Sequence, residues 1–130
     1  MVDPICLIVD DEPAIRAYLK AILQLDRFQS LEASTAAQAL RIVQKLDGRI
    51  DLLLSDVRMP GDMDGIDLAY SVRNLFPTIP VILISGYAVE PSTPATPFHV
   101  IQKPFVPETI LAAARQLVNA LRAKAADDGE

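Results

Sequence analysis

Short apolar runs, each too brief for a helix, alternate along this chain with segments whose apolar residues recur at helical spacing, and that alternation constrains the fold more than any other feature. Ile5–Val9 is rich in branched residues and reads as a buried strand. Pro13 suits the first turn of the helix that follows, and Ile15, Leu19, Ile22 and Leu23 fall on one of its faces. Residues 28–33 read as a second, weaker strand, after which Ser34 or Thr35 can cap a helix with Leu40, Val43 and Leu46 turned inward. Residues 52–55 form a third strand ending at Asp56, 59–65 a loop by their Pro and Gly content, and Asp64 can cap a helix starting near Ile66. Residues 80–85 and 100–102 give the fourth and fifth strands. A closing amphipathic helix over 108–123 carries Ile110, Ala114, Leu117 and Leu121 on one side. Strands apolar on both faces and joined by helices imply a parallel sheet covered on each side, with right-handed connections. The pattern predicts one domain over residues 1–124 and a small, acidic, frayed tail over 125–130.

Composition narrows the function classes. The net charge is −5 and the Lys and Arg residues are scattered, so the basic patch of a nucleic-acid binder is missing and direct DNA binding is not expected. Cys6 is the only cysteine and lies in an apolar run, where it reads as a small buried hydrophobe. His99, the only histidine, reads as a surface residue. The first residues reach Asp10, Asp11 and Glu12 without a basic region or a long apolar stretch, so no secretory signal is expected. No apolar run approaches a membrane span, and a cytoplasmic location follows as the expectation.

In an open parallel sheet, ligands bind beyond the carboxyl ends of the strands, near the switch in strand order. Here those ends carry Asp10 and Asp11, Asp56, Ser85 and Lys103. Taken singly, an Asp pair at a strand end is more often a cap or turn than a metal site. Together the residues form a chemical set. Clustered carboxylates repel one another unless a cation lies between them, and oxygen ligands suit a hard ion such as Mg²⁺. A carboxylate in such a site can attack phosphorus and form an aspartyl-phosphate. Lys103 then offers a cation, and the Ser85 hydroxyl a hydrogen-bond donor, to the transferred group.

The segments Leu7-Ile8-Val9-Asp10-Asp11-Glu12, Asp56-Val57-Arg58-Met59-Pro60-Gly61, Met63-Asp64-Gly65, Ser85-Gly86-Tyr87 and Lys103-Pro104-Phe105 resemble the response-regulator receiver family over nearly the whole chain. The resemblance implies a flavodoxin-like, doubly wound α/β fold with five parallel strands in the order 2-1-3-4-5. It implies that Asp56 is the phosphoacceptor and that Asp10 and Asp11 hold Mg²⁺ with the Arg58 backbone carbonyl. It also implies that Ser85 and Lys103 contact the phosphoryl oxygens and that Pro104 is a candidate cis-peptide. The implied partner is a histidine kinase or histidine phosphotransferase, with a monomer or weak dimer read by protein targets. On this reading the chain is a phosphoacceptor rather than an enzyme, a relay station or phosphate sink with no output domain.

Three departures bear on mechanism. Asp62 lengthens the loop between Asp56 and Gly65 by one residue relative to the commonest receiver pattern. Val100 stands where receivers usually carry a switch aromatic, so Tyr87 or Phe98 is the candidate replacement. Pro91, Pro94 and Pro97 fall between Ser85 and Lys103, so the fourth helix is expected to be short or irregular, with 88–97 mobile at rest and ordered on activation. The ending Ser85-Gly86-Tyr87 is similar to a single-domain subgroup, and in receivers the positions of Arg58 and Tyr87 tune water access to the acyl phosphate. Two other classes compete. A covalent phosphatase of the haloacid-dehalogenase type needs a second Asp two residues after its nucleophile, where this chain has Arg58. A scaffold that no longer accepts phosphate would have no use for the full acidic and cationic set.

Overall fold

The computed structural model describes residues 2–86 and 98–128. Its strands are β1 (Ile5–Val9), β2 (Gln29–Ala33), β3 (Leu52–Asp56), β4 (Val81–Ser85) and β5 (His99–Gln102). All pair in parallel in one sheet of order β2-β1-β3-β4-β5. The helices among the described residues are α1 (Pro13–Gln24), α2 (Ala36–Lys45), α3 (Gly65–Leu75) and α4 (Pro107–Asp128). The expected short or irregular helix between β4 and β5 falls on 87–97, outside the described residues.

The sheet has apolar faces on both sides because its strands are apolar at successive positions. Cys6, Leu7, Ile8 and Val9 are all fully buried, and alternate residues go to opposite cores. Leu7, Val9, Leu53 and Leu83 pack with Ala36, Ala39 and Val43 of α2 and Leu68, Ala69 and Val72 of α3. Cys6, Ile8, Leu54, Ile82 and Ile101 pack on the other face with Leu19, Ile22 and Leu23 of α1 and Ile110, Ala114 and Val118 of α4. The chain leaves β1 toward β2 and then reverses past it to β3. Right-handed crossovers in opposite directions therefore put α1 and α2 on opposite faces. Burial of each such Leu or Ile contributes about 1.5–3 kcal/mol.

Capping fixes where the helices begin. Thr35, not Ser34, is the N-cap of α2, its Oγ1 accepting from the Gln38 N–H at 3.1 Å. Asp64 caps α3 in a reciprocal box with Asp67, and the helix starts at Gly65, one residue before the expected Ile66. Two expectations need correction. The inner face of α2 is Ala36, Ala39 and Val43, with Leu40 and Leu46 only partly buried at its flanks, because small residues let a helix lie close to a sheet. Helix α4 continues to Asp128, past the expected tail boundary at 124, since Ala120, Ala123, Ala125 and Ala126 are strong helix formers.

Candidate functional site

Register places the site before any side chain is considered. Val9 is paired with Ser55, so the next step along both strands sets Asp10 beside Asp56. Asp56 is paired with Ile84 and Ser85 with Gln102, so Ser85 and Lys103 complete the same edge. Neighbouring strands lie about 4.8 Å apart, which brings groups at successive strand ends into mutual reach. The switch in strand order lies between β1 and β3, where the carboxylates stand.

One carboxylate oxygen from each of Asp10, Asp11 and Asp56 lies within 4.8 Å of the others. Asp10 is 3% exposed, the Asp56 side chain is 13% exposed, and Asp11 is open to solvent. The Lys103 Nζ stands 3.6 Å from Asp56 Oδ2, with its side chain 36% exposed, so water screens part of that attraction. The Glu12 N–H donates to Asp10 Oδ1 at 2.9 Å. Burial pushes the Asp10 carboxyl above its ordinary value; the Glu12 amide opposes this, the Asp56 charge adds to it, Lys103 opposes it, and Asp11 adds to it.

The other expected positions fall into two groups. Ser85 is 1% exposed at the end of β4, and its carbonyl accepts from the Lys103 N–H at 2.8 Å, which ties the ends of β4 and β5 together. Arg58 is exposed and, with Asp11, Met59, Pro60 and Asp64, lines an open pocket of about 470 Å³ beside the carboxylates. The Lys103–Pro104 peptide is cis. Away from this edge, Val100 is paired with Leu83 and packs on the α2/α3 core. Tyr87 and the segment 88–97 lie outside the described residues. Phe98 is 1% exposed, with the Tyr70 ring edge-on at 5.0 Å and the Arg73 guanidinium 4.3 Å over its face. It anchors the core roughly 16 Å along the chain from Lys103, at about 3.3 Å per extended residue, and does not reach the carboxylates.

Gly65 was legible in the sequence only as part of a turn. A Cβ at this position would collide with the Asp56 carbonyl oxygen, and the Gly65 N–H donates to the Val57 carbonyl at 2.8 Å. The start of α3 thus presses directly on the backbone that carries Asp56. The Met63-Asp64-Gly65 sequence supplies both the cap and the side-chain-free contact.

The donor set fits a hard divalent cation. It offers only carboxylate oxygens, and the Asp10 charge, disfavoured by burial and by its neighbours, is the kind a cation would relieve. Asp10, Asp11 and Asp56 are the residues that could hold one. Among the described residues no helix is long and apolar enough to cross a membrane.

An open parallel sheet of this strand order, with a lysine-flanked carboxylate cluster at its switch point that could hold a metal ion, defines a flavodoxin-like domain. The chain belongs to the response regulator receiver domain family, whose model matches residues 6–115. It is similar to the receiver domain protein (CheY-like) of Methanospirillum hungatei, with TM-score 0.84 and 28% identity over 95% of this chain and 99% of that one. The receiver domain of the hybrid histidine kinase CckA aligns with TM-score 0.75 and 35% identity over 88% and 98% of the two chains. Among curated relatives, the sensor kinase CckA of Brucella abortus is 33% identical over 86% of this chain and 12% of its own length. The sporulation initiation phosphotransferase F of Bacillus subtilis is 38% identical over 62% of this chain and 63% of its own. The chain thus spans less than two thirds of these curated relatives.

Proposed function

We propose that this chain accepts a phosphoryl group on Asp56 from the phosphohistidine of a histidine kinase or phosphotransferase, and that the modified domain changes its contacts with protein targets. The observation that carries this reading is Asp56 within the acidic cluster, with Lys103 Nζ 3.6 Å from its carboxylate. On this reading the chain is a phosphoacceptor and acts on no separate substrate.

An Asp56 carboxylate oxygen attacks phosphorus in line with the phosphorus–nitrogen bond of the donor. The new oxygen–phosphorus bond forms as the old bond breaks, and the electron pair returns to the imidazole nitrogen. Asp10, Asp11, Asp56 and the Arg58 backbone carbonyl would hold Mg²⁺, which when bound offsets charge on the phosphoryl oxygens and among the carboxylates. Lys103 exchanges its contact with the carboxylate for one with the acyl phosphate, and the Ser85 hydroxyl donates to a second phosphoryl oxygen. Water later attacks the phosphorus, which releases inorganic phosphate and restores the carboxylate. Arg58, second after Asp56, cannot relay a proton in that step because its guanidinium stays charged.

Incubation with phosphoramidate and Mg²⁺, followed by intact mass and site mapping, tests the reading. One phosphoryl group on Asp56 is expected, with none in Asp56→Asn. Labelling of the Asn variant at the wild-type rate would refute the assignment.

A further inference from the structure

Arg16, near the start of α1, bonds neither the Asp10 nor the Asp11 carboxylate. Its Nη1 donates to the backbone carbonyl of Asp10 at 2.7 Å, while its Nε pairs with Glu32 Oε1 at 3.1 Å. Glu32 stands on the edge strand β2, and the Arg16 side chain is only 17% exposed, so the guanidinium is held from two sides. The carbonyl it grips belongs to the peptide joining Asp10 to Asp11, and a peptide is a rigid plane. The rest of Asp10 is already fixed: its N–H donates to the Ala33 carbonyl at 3.1 Å and its Oδ1 accepts from Glu12. The remaining freedom is rotation of that plane, which sets the direction in which Asp11 leaves the strand.

We propose that Arg16 is a positioning residue for the cation site, fixing the peptide plane between Asp10 and Asp11 and so aiming the Asp11 carboxylate toward those of Asp10 and Asp56. The inference rests on the reading of those carboxylates as cation ligands. Two different nitrogens of one planar group make the two bonds, and a lysine, with a single nitrogen, cannot make both. The positioning role and simple electrostatics differ in sign. Removing a positive charge near an acidic site should tighten cation binding through space, whereas losing a partner that orients ligands weakens it, typically by about 10–100-fold.

The test is a Mg²⁺ titration of the full chain, followed through the backbone amides of Asp10, Asp11 and Asp56 by NMR, for wild type, Arg16→Met and Arg16→Lys. The Mg²⁺ Kd is expected to rise about tenfold in Arg16→Met, with partial recovery in Arg16→Lys. The phosphoramidate labelling rate at saturating Mg²⁺ should stay within about twofold of wild type, since the loss is in cation binding rather than in the chemical step. Unchanged or tighter Mg²⁺ binding by folded Arg16→Met overturns the proposal. Should that variant lose its amide dispersion, Arg16→Lys decides: wild-type affinity overturns the proposal and weakened affinity supports it. A wild-type chain that shows no Mg²⁺-dependent shift at these amides overturns the cation reading and the role of Arg16 with it.

Discussion

Replacing Asp10 with Asn is expected to stabilise the metal-free protein at neutral pH. Oxygens of Asp10 and Asp56 lie within 4.8 Å. Two unit charges at that distance repel by roughly 3 kcal/mol at an effective dielectric constant of about 20, and by under about 1 kcal/mol in bulk water. Near-complete burial of Asp10 favours the larger figure, while the half-open Lys103 beside Asp56 offsets part of it, leaving about 1–2 kcal/mol. Asn keeps an oxygen for the Glu12 N–H but loses the charge on that bond, which costs about 0.5–1 kcal/mol. The net gain is about 1 kcal/mol, or roughly 3–5 °C in Tm for a domain of this size. The sign with pH follows from the raised Asp10 value. In the window between the ordinary carboxylate value and the folded one, the native protein binds more protons than the unfolded chain, so wild-type stability falls as pH rises through it. The advantage of the Asn variant is therefore full at neutral pH and shrinks as pH falls through the folded Asp10 value toward the ordinary carboxylate range. Melting by circular dichroism in EDTA across that range measures it, and added Mg²⁺ should narrow the gap by binding native wild type. A variant that melts below wild type at neutral pH in EDTA, or whose advantage grows on acidification, would refute the repulsion argument.

Gly65→Ala should cost about 2–3 kcal/mol in urea unfolding, because its Cβ meets the fixed Asp56 carbonyl rather than a movable side chain. Phe98→Ala, which removes a fully buried ring held by Tyr70 and Arg73, should cost about 3–5 kcal/mol, read as a lower urea midpoint at unchanged slope. Thr35→Ala should cost about 1 kcal/mol by removing the acceptor for the Gln38 N–H, with a matching fall in Tm.

The residues that could be read from the sequence are those whose place follows from one short segment. A strand such as Ile5–Val9 is apolar at successive positions because both of its faces are covered, so its burial and the charged residues at its end are visible together. Asp10, Asp11, Asp56, Ser85 and Lys103 were legible for that reason. Arg16 was not, because its partners sit on β2 and at the end of β1, and nothing local links it to Glu32. Gly65 reads as a turn residue, yet its constraint comes from the Asp56 backbone. The stripe Leu40, Val43 and Leu46 caught Val43 but missed Ala36 and Ala39, because spacing weights large residues, whereas the surface next to a sheet selects small ones.

On the proposed chemistry, neither Val100 nor Phe98 is placed to supply the ring rotation that the usual receiver sequence allows. Val100 has no ring, and its place opposite Leu83 is taken up by core packing. Phe98 has one, but Tyr70 and Arg73 hold it against α3 at the far end of β5, and turning it out would expose a fully buried side chain. The groups that face the acceptor are joined differently: the Lys103 N–H is bonded to the Ser85 carbonyl, so the ends of β4 and β5 form one hydrogen-bonded unit. A phosphoryl group on Asp56 that draws the Ser85 hydroxyl and the Lys103 ammonium acts on both members of that unit at once. Phosphorylation can shift a conformational equilibrium only through contacts that differ between the two states. On that proposal, the contacts available among the described residues are at the paired strand ends, where a pull on Ser85 or Lys103 is passed to the other through their backbone hydrogen bond.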